Sequence, residues 1–383
     1  MRKRAARKRA ASPGGSALTS MPRGWSIGAA AVLTVIVTAC LLRRAPAGDA
    51  AASFPPPPPG AKPDLELTEG GETYRLYGPR AYLVKGEALI PFKQIYDPGF
   101  FEKNYSVEGG KISRRGDDGR LYPVGRRFAS GFEGVEGVRE LVGPTHGWTS
   151  LTLQSPKAPT VADYVQLRKR LLNGQGEFLD NRLEVDRTVV HGGEAALRAY
   201  CLPPSRGMIC AKASIDTELI HFVGGDDFWF SGWYRIEEGR PFTLMDLEST
   251  WIDEHPGMRI CLDDDRRLYF ELKWSPKPKY RQTGPKAASF PLKQWVHVEA
   301  HFMLSEKADG VAQLWQDGRK IIDARGQTLP LPVAIYNSLE IGISAHVADR
   351  PAAVYVDDVA VSDPREGSGG PDAGKTPGRA PAR

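Results

Sequence analysis

The feature that most constrains this chain is strict two-residue alternation joined to tight turns. Val296, Val298, Ala300, Phe302 and Leu304 alternate with Trp295, His297, Glu299, His301 and Met303, which is the period of a strand with one buried face. Leu268, Phe270, Leu272 and Trp274 alternate with Tyr269, Glu271 and Lys273 in the same way. Residues 311–316 and 319–322 flank Asp317-Gly318, a dipeptide that tolerates the positive φ of a two-residue hairpin turn. From Asn181 onward this spacing of strands and turns predicts an all-β antiparallel sandwich, or jelly roll. The 41 glycines and 31 prolines among 383 residues suit so many turns. A 41% apolar and 9% aromatic content excludes a disordered chain, a coiled coil and a polytopic membrane protein. One helix is expected. Thr160 caps Val161–Leu172, Asp163 stands at the third position, and Asn173-Gly174 stop it.

The ends of the chain read differently. Residues 2–9 carry six cations (Arg2, Lys3, Arg4, Arg7, Lys8, Arg9), and an uncharged, mostly apolar run follows from Trp25 to Leu42. A basic segment before an apolar one is an export signal. Val37-Thr38-Ala39-Cys40 resembles a bacterial lipobox, which implies lipidation of Cys40. The run, at about 18 residues, is also long enough to serve as an uncleaved anchor. Either way the protein is expected to be held at a membrane of the cell envelope, through a lipidated Cys40 or through the uncleaved run within residues 1–42, facing the periplasm or the exterior. Removing residues 1–39, which hold seven cations and no acid, turns the formal +5 into −2. The basic balance therefore belongs to the signal, and no nucleic-acid partner is expected. Residues 43–64 are Ala/Pro-rich, with Pro55 through Pro59 unbroken, a stiff polyproline spacer. Residues 65–127 predict a small β extension, with strands at Tyr74–Tyr77, Ala81–Val84 and Ala88–Ile90 and turns at Gly109-Gly110 and Asp117-Asp118-Gly119. Residues 128–364 form the main domain, and 365–383 a Gly/Pro/Ala-rich tail expected to be disordered.

Several segments of the main domain carry a resemblance. They are Gly131-Phe132-Glu133, residues 191–197 (HGGEAAL), residues 228–235 (FWFSGWYR), residues 294–297 (QWVH), residues 309–318 (DGVAQLWQDG) and residues 354–359 (VYVDDV). Together they resemble the heparin-lyase-I-like polysaccharide lyases, with a concanavalin A-like jelly roll, over about residues 130–363. The resemblance implies β-elimination on a uronic-acid polysaccharide; the protein is expected to be a monomer and to require no cofactor. Two alternatives stand beside it: a non-catalytic carbohydrate-binding lipoprotein, and a structural β-sandwich of the envelope.

Elimination needs a cation to neutralise the uronate, a base to take the proton beside it, and an acid for the leaving oxygen. Lys277-Pro278-Lys279-Tyr280-Arg281-Gln282 resembles the Tyr-x-Gln strand of alginate-lyase-like jelly rolls. The resemblance implies Tyr280 as base or acid, Lys279 or Arg281 as neutraliser, and Lys277 and Gln282 as substrate contacts. Because neighbours on a strand face opposite ways, not all three cations can flank the Tyr280 hydroxyl. Where the family carries Gln-x-His, this chain has Asp246 and Glu248, with His255 as the substitute histidine. Asp246 and Glu248 share a strand face and also suit the carboxylate pair of a glycoside hydrolase. Trp233 and Arg235 share a face opposite Phe228 and Phe230 and are expected in the groove or in solvent. The resemblance further implies a structural calcium held by Glu133, Asp357 and Asp358. Cys201 and Cys210 flank a turn and are expected to form a disulfide in the exported protein.

Overall fold

The computed structural model describes residues 54–363 except Gly70, residues 117–118, 274–277 and 285–286. Cys40, Lys277, Trp274, the export segment and the tail after residue 363 lie outside the described residues. The N-terminal strands are β1 (Leu65–Glu69), β2 (Glu72–Tyr77), β3 (Arg80–Lys85), β4 (Ala88–Gln94), β5 (Tyr105–Glu108), β6 (Lys111–Arg115) and β7 (Leu121–Pro123). The main domain follows with β8 (Arg127–Ser130), β9 (Ser150–Thr152), β10 (Arg182–Asp186), β11 (Ala196–Cys201), β12 (Ala211–Thr217), β13 (Asp227–Glu238), β14 (Thr243–Glu248) and β15 (Gly257–Leu262). It ends with β16 (Leu268–Leu272), β17 (Lys279–Arg281), β18 (Val296–Met303), β19 (Gly310–Gln316), β20 (Arg319–Gly326), β21 (Ser338–His346) and β22 (Ala352–Ser362).

Two antiparallel sheets form the expected sandwich. One runs β10-β11-β22-β13-β18-β19-β20, with β8 beside the end of β22; the other runs β17-β16-β15-β14-β21-β12-β9. Phe228 and Phe230 of β13, Phe302 of β18 and Phe270 of β16 meet between them, all fully buried, and the Phe270 and Phe302 rings lie 5.1 Å apart. The hairpin turn forms as its sequence requires, with Asp317 and Gly318 at φ 52° and 72°.

The two sheets differ in their outer faces. β18 and β19 alternate between buried and half-buried residues, so their outer face meets solvent. β14, β15, β16 and β21 are buried at every position. Their sheet is therefore covered on both sides. The helix Val161–Leu172, capped by Thr160 with a complete capping box to Asp163, contributes Tyr164, Leu171 and Leu172 to packing against the core. Met208 and Cys210, and Tyr96, Phe100 and Phe101 of the N-terminal extension, pack there too.

The extension folds as β1–β4 and β5–β7 meanders and attaches to the sandwich. Tyr96 bridges Ile252, Lys93 pairs with Asp253 at 2.6 Å, Arg114 pairs with Glu218, and the Gly125 amide donates to the Leu219 carbonyl. Among the described residues no helix is long and apolar enough to cross a membrane.

Candidate functional site

The covered outer face of the seven-stranded sheet carries an unbroken polar row. Ser150, Asp216, Glu340, Asp246, Arg259, Glu271 and Lys279 are successive register partners, one from each strand. Residues directly opposite in register stand roughly 5 Å apart, so the row from Asp216 to Lys279 is a continuous chain of ionisable groups. Inward neighbours such as Met245, Leu247, Ile260 and Phe270 fill the core, and alternation then sends the polar residues outward.

Two buried carboxylates of the row, Glu271 and Glu340, are ion-paired. Arg259 holds Glu271, with Nε 3.1 Å from Oε1, and Lys279 reaches the other Glu271 oxygen at 2.7 Å. Burial pushes the Glu271 carboxyl up, but the Arg259 and Lys279 charges outweigh it and hold the group at about 2. Glu340 accepts from Ser214 at 2.5 Å and from Lys212 at 3.4 Å. Burial opposes the Lys212 ammonium, yet Glu340 keeps its pKa above the ordinary value. Glu248 pairs with Lys273. Asp216, next in the row to Glu340, is raised to about 6 by burial and by that neighbouring carboxylate. Cys261 lies on this face as well, and burial pushes its thiol up to about 12.

His255 stands at the rim, with Nδ1 3.8 Å from Glu248 Oε2. Desolvation and the Lys212 charge lower its pKa, although 55% of its side chain meets solvent. Its loop is strained: Glu254 and His255 adopt φ 65° and 44°, a left-handed conformation that is costly for residues with a Cβ. The extension clamps this loop, because the Asp253 amide donates to the Ile95 carbonyl at 2.7 Å and Trp251 packs on Tyr96 and Phe101. Tyr164, on the covering helix, lies in the field of the same Lys212–Glu340 pair, and burial raises its hydroxyl pKa.

Oxygens of Asp246, Glu248 and Glu340 lie within 4.8 Å of one another. Such hard donors suit a divalent cation, but Lys273 and Lys212 already neutralise two of the three. One Asp246 oxygen is buried with no hydrogen-bond partner among the described residues.

The structure thus brings Lys279, Arg281, Asp246, Glu248 and His255 to one face; Arg281 lies over the Tyr269 ring at 4.2 Å. Tyr280 does not join them. It pairs in register with the core residue Phe270, and its hydroxyl donates to the Gln327 carbonyl at 2.7 Å. Burial raises its pKa, the wrong direction for a base. The alternation that puts Lys279 and Arg281 outward turns Tyr280 inward. Gln282 is likewise consumed, bonded to Leu268 and Ala288.

Trp233 and Arg235 lie on the solvent face of the other sheet. Trp233 is stacked between His191 and His297, with centroids at 3.7 and 4.7 Å, and Arg235 pairs with Glu237 at 2.9 Å. Glu133, Asp357 and Asp358 gather around residues 191–195 without converging. Glu133 accepts from the Glu194 and Ala195 amides, Asp357 from His191, Gly192 and Asp358, and Asp358 faces the His191 ring at 3.1 Å. Asp357 and Asp358 tie this loop to β22, and Glu133 ties it to the segment after β8. The expected Cys201–Cys210 disulfide is not formed; both thiols are free. The Cys201 sulfur lies within the core, 3.2 Å from the Asn181 side-chain amide.

Sequence reasoning did not single out Lys212, Asp216, Arg259, Glu340 or Tyr164 as site residues. A signal was available: Lys212, Ser214 and Asp216 alternate with Ala211, Ala213 and Ile215, and Arg259 interrupts the otherwise apolar strand Gly257–Leu262.

No protein-family model and no curated protein matches the chain. Among solved structures it is similar to an endo-β-1,4-glucuronan lyase from the fungus Trichoderma reesei, at 15% identity over 48% of this chain and 88% of that one, with a TM-score of 0.40. It is also similar to the alginate lyase AlyC3, at 11% identity over 61% and 97%, TM-score 0.39. A third is a botulinum neurotoxin type G receptor binding domain, at 12% identity over 48% and 42%, TM-score 0.30. None of these likenesses assigns a residue or an activity to this chain.

Proposed function

We propose that this is an exported polysaccharide lyase-like protein that performs β-elimination on a uronic-acid polysaccharide engaged at the open His255 rim of the charged face. The observation that carries the reading is the charged face, where Lys212 and Lys273 stand beside Glu340 and Glu248 and a histidine sits at the rim. Lys212 and Lys273, whose side chains keep 24% and 18% of their exposure, are the cations that a uronate carboxylate would engage, making the adjacent C–H more acidic. His255, with its pKa lowered, is a neutral imidazole at pH 7 and is available as the base. It takes the proton, the C–H electrons form the new double bond, and the glycosidic C–O bond breaks. The Tyr164 hydroxyl, kept protonated by its raised pKa, supplies the proton to the leaving oxygen.

One observation favours a second reading. Lys212, Lys273, Arg259 and Lys279 each already have a carboxylate partner, which suits an uncharged glycan bound without turnover. Incubating the protein with glucuronan, alginate and uncharged β-glucans separates the two readings. The lyase reading expects ultraviolet absorbance from unsaturated uronate, lost by roughly 10²-fold or more in His255→Ala and retained in Tyr280→Phe. Product abolished in a folded Tyr280→Phe variant overturns the site. Binding of uncharged glycan with no product from any uronan supports the second reading, and neither binding nor product sinks both.

A further inference from the structure

The polar row ends at Ser150 on the edge strand β9, and a cavity of about 350 Å³ opens at that end. This is within the size range of ligand pockets, roughly 300–1,000 Å³. Its walls come from three parts of the chain. Arg114 and Tyr122 belong to the three-stranded meander of the extension, Arg168 to the covering helix, and Ser150, Trp148 and Glu218 to the sandwich. The two arginines are not equivalent. Arg114 is neutralised by Glu218. The Arg168 guanidinium donates to the Ser150 hydroxyl at 2.5 Å; its charge acts on Asp216, next in the row, but no carboxylate forms an ion pair with it among the described residues. A half-buried guanidinium that lines a cavity and is held in place by a hydroxyl suits recognition of a carboxylate. Tyr122 and the serine and threonine hydroxyls nearby suit the ring and hydroxyls of a sugar.

We propose that this cavity is a binding subsite for a carboxylated sugar residue, with Arg168 as the carboxylate receptor and the N-terminal extension as one wall. The inference rests on the reading of the charged face as a uronan site and extends it beyond the sheet. It gives residues 105–123 a role that neither motif nor composition indicates.

The test compares binding of a β-1,4-linked glucuronic acid trisaccharide and of cellotriose, its uncharged counterpart, to the full chain by calorimetry. Lyase product from glucuronan is measured on the same samples. The wild type is expected to prefer the acidic trisaccharide. Arg168→Gln is expected to weaken that binding roughly tenfold or more while leaving cellotriose unchanged, and Arg168→Lys to recover part of it. Arg168 sits on the outer helix, so circular dichroism can confirm the fold of both variants. Equal affinity for the two trisaccharides in the wild type, or unchanged acidic binding in Arg168→Gln, overturns the subsite. Product formed from glucuronan in that event would leave the charged-face reading standing, so the two failures are distinguishable.

Discussion

Glu271 is a carboxylate with almost no water and two cations. Its side chain is 1% exposed and that of Arg259 8%. Removing one member of a buried pair leaves the other uncompensated, at a cost of about 3–5 kcal/mol. Glu271→Ala should lower the urea midpoint accordingly, whereas replacing Arg259 and Glu271 together by apolar residues should cost much less. The pH dependence has a definite sign. The folded carboxyl lies at about 2, below its ordinary 4.5, so its contribution is fully present above pH 4.5 and is lost as pH falls toward 2. The wild type should lose stability across that window more steeply than Glu271→Gln, as read from denaturant midpoints at a series of pH values. Equal slopes would show that the pair does not govern acid stability.

At the scale of elements, two glycines separate close packing from backbone conformation. A Cβ on Gly257 would run into the Leu247 carbonyl oxygen, within the β14–β15 ladder that carries Glu248. A Cβ on Gly318 meets open space, but its φ of 72° disfavours a side chain. Gly318→Ala should cost about 1 kcal/mol. Gly257→Ala should cost about 3 kcal/mol or more, beyond ordinary overpacking, and should displace Glu248. Equal urea midpoints for the two would contradict the close approach. The same elements show what could be read beforehand. The capped helix, the Asp317-Gly318 hairpin and the alternating strand at 296–303 follow from local chemistry, and all three form. Alternation also limited which cations could flank Tyr280, but it could not say which face was core; only the register partner Phe270 decides that. The polar row was illegible because its members lie far apart in sequence, from Ser150 to Glu340, and meet only through sheet order. Arg259 reads locally as one charge in an apolar strand, Lys212 and Asp216 as the polar face of theirs, and nothing local shows that β21 places Glu340 between Asp216 and Asp246.

For the molecule as a whole, the decisive question is what residues 65–127 contribute. Composition marks them as a small β extension, and their own strands pair only among themselves. Their contacts, however, frame the charged face at two places. At the His255 loop, Tyr96 and Phe101 close over Trp251, which is 8% exposed. At the far end, Arg114 and Tyr122 wall the cavity beside Ser150. An extension that merely rode on the sandwich would leave its stability unchanged when removed. One that completes the fold would take aromatic packing and the loop clamp with it. Losing the burial of a large aromatic costs about 3–5 kcal/mol, and each kcal/mol lowers Tm by roughly 2–4 °C for a domain of this size. Deleting residues 54–124 should therefore lower the Tm of the sandwich by about 6–20 °C, measured by calorimetry. The intact protein should unfold in a single transition. A second transition in the intact protein, or an unchanged Tm after deletion, would make the extension an independent module and remove the support for a fixed His255. The expected outcome instead makes the strained Glu254-His255 turn a product of the extension, held against its own backbone preference by the Asp253–Ile95 and Lys93–Asp253 contacts.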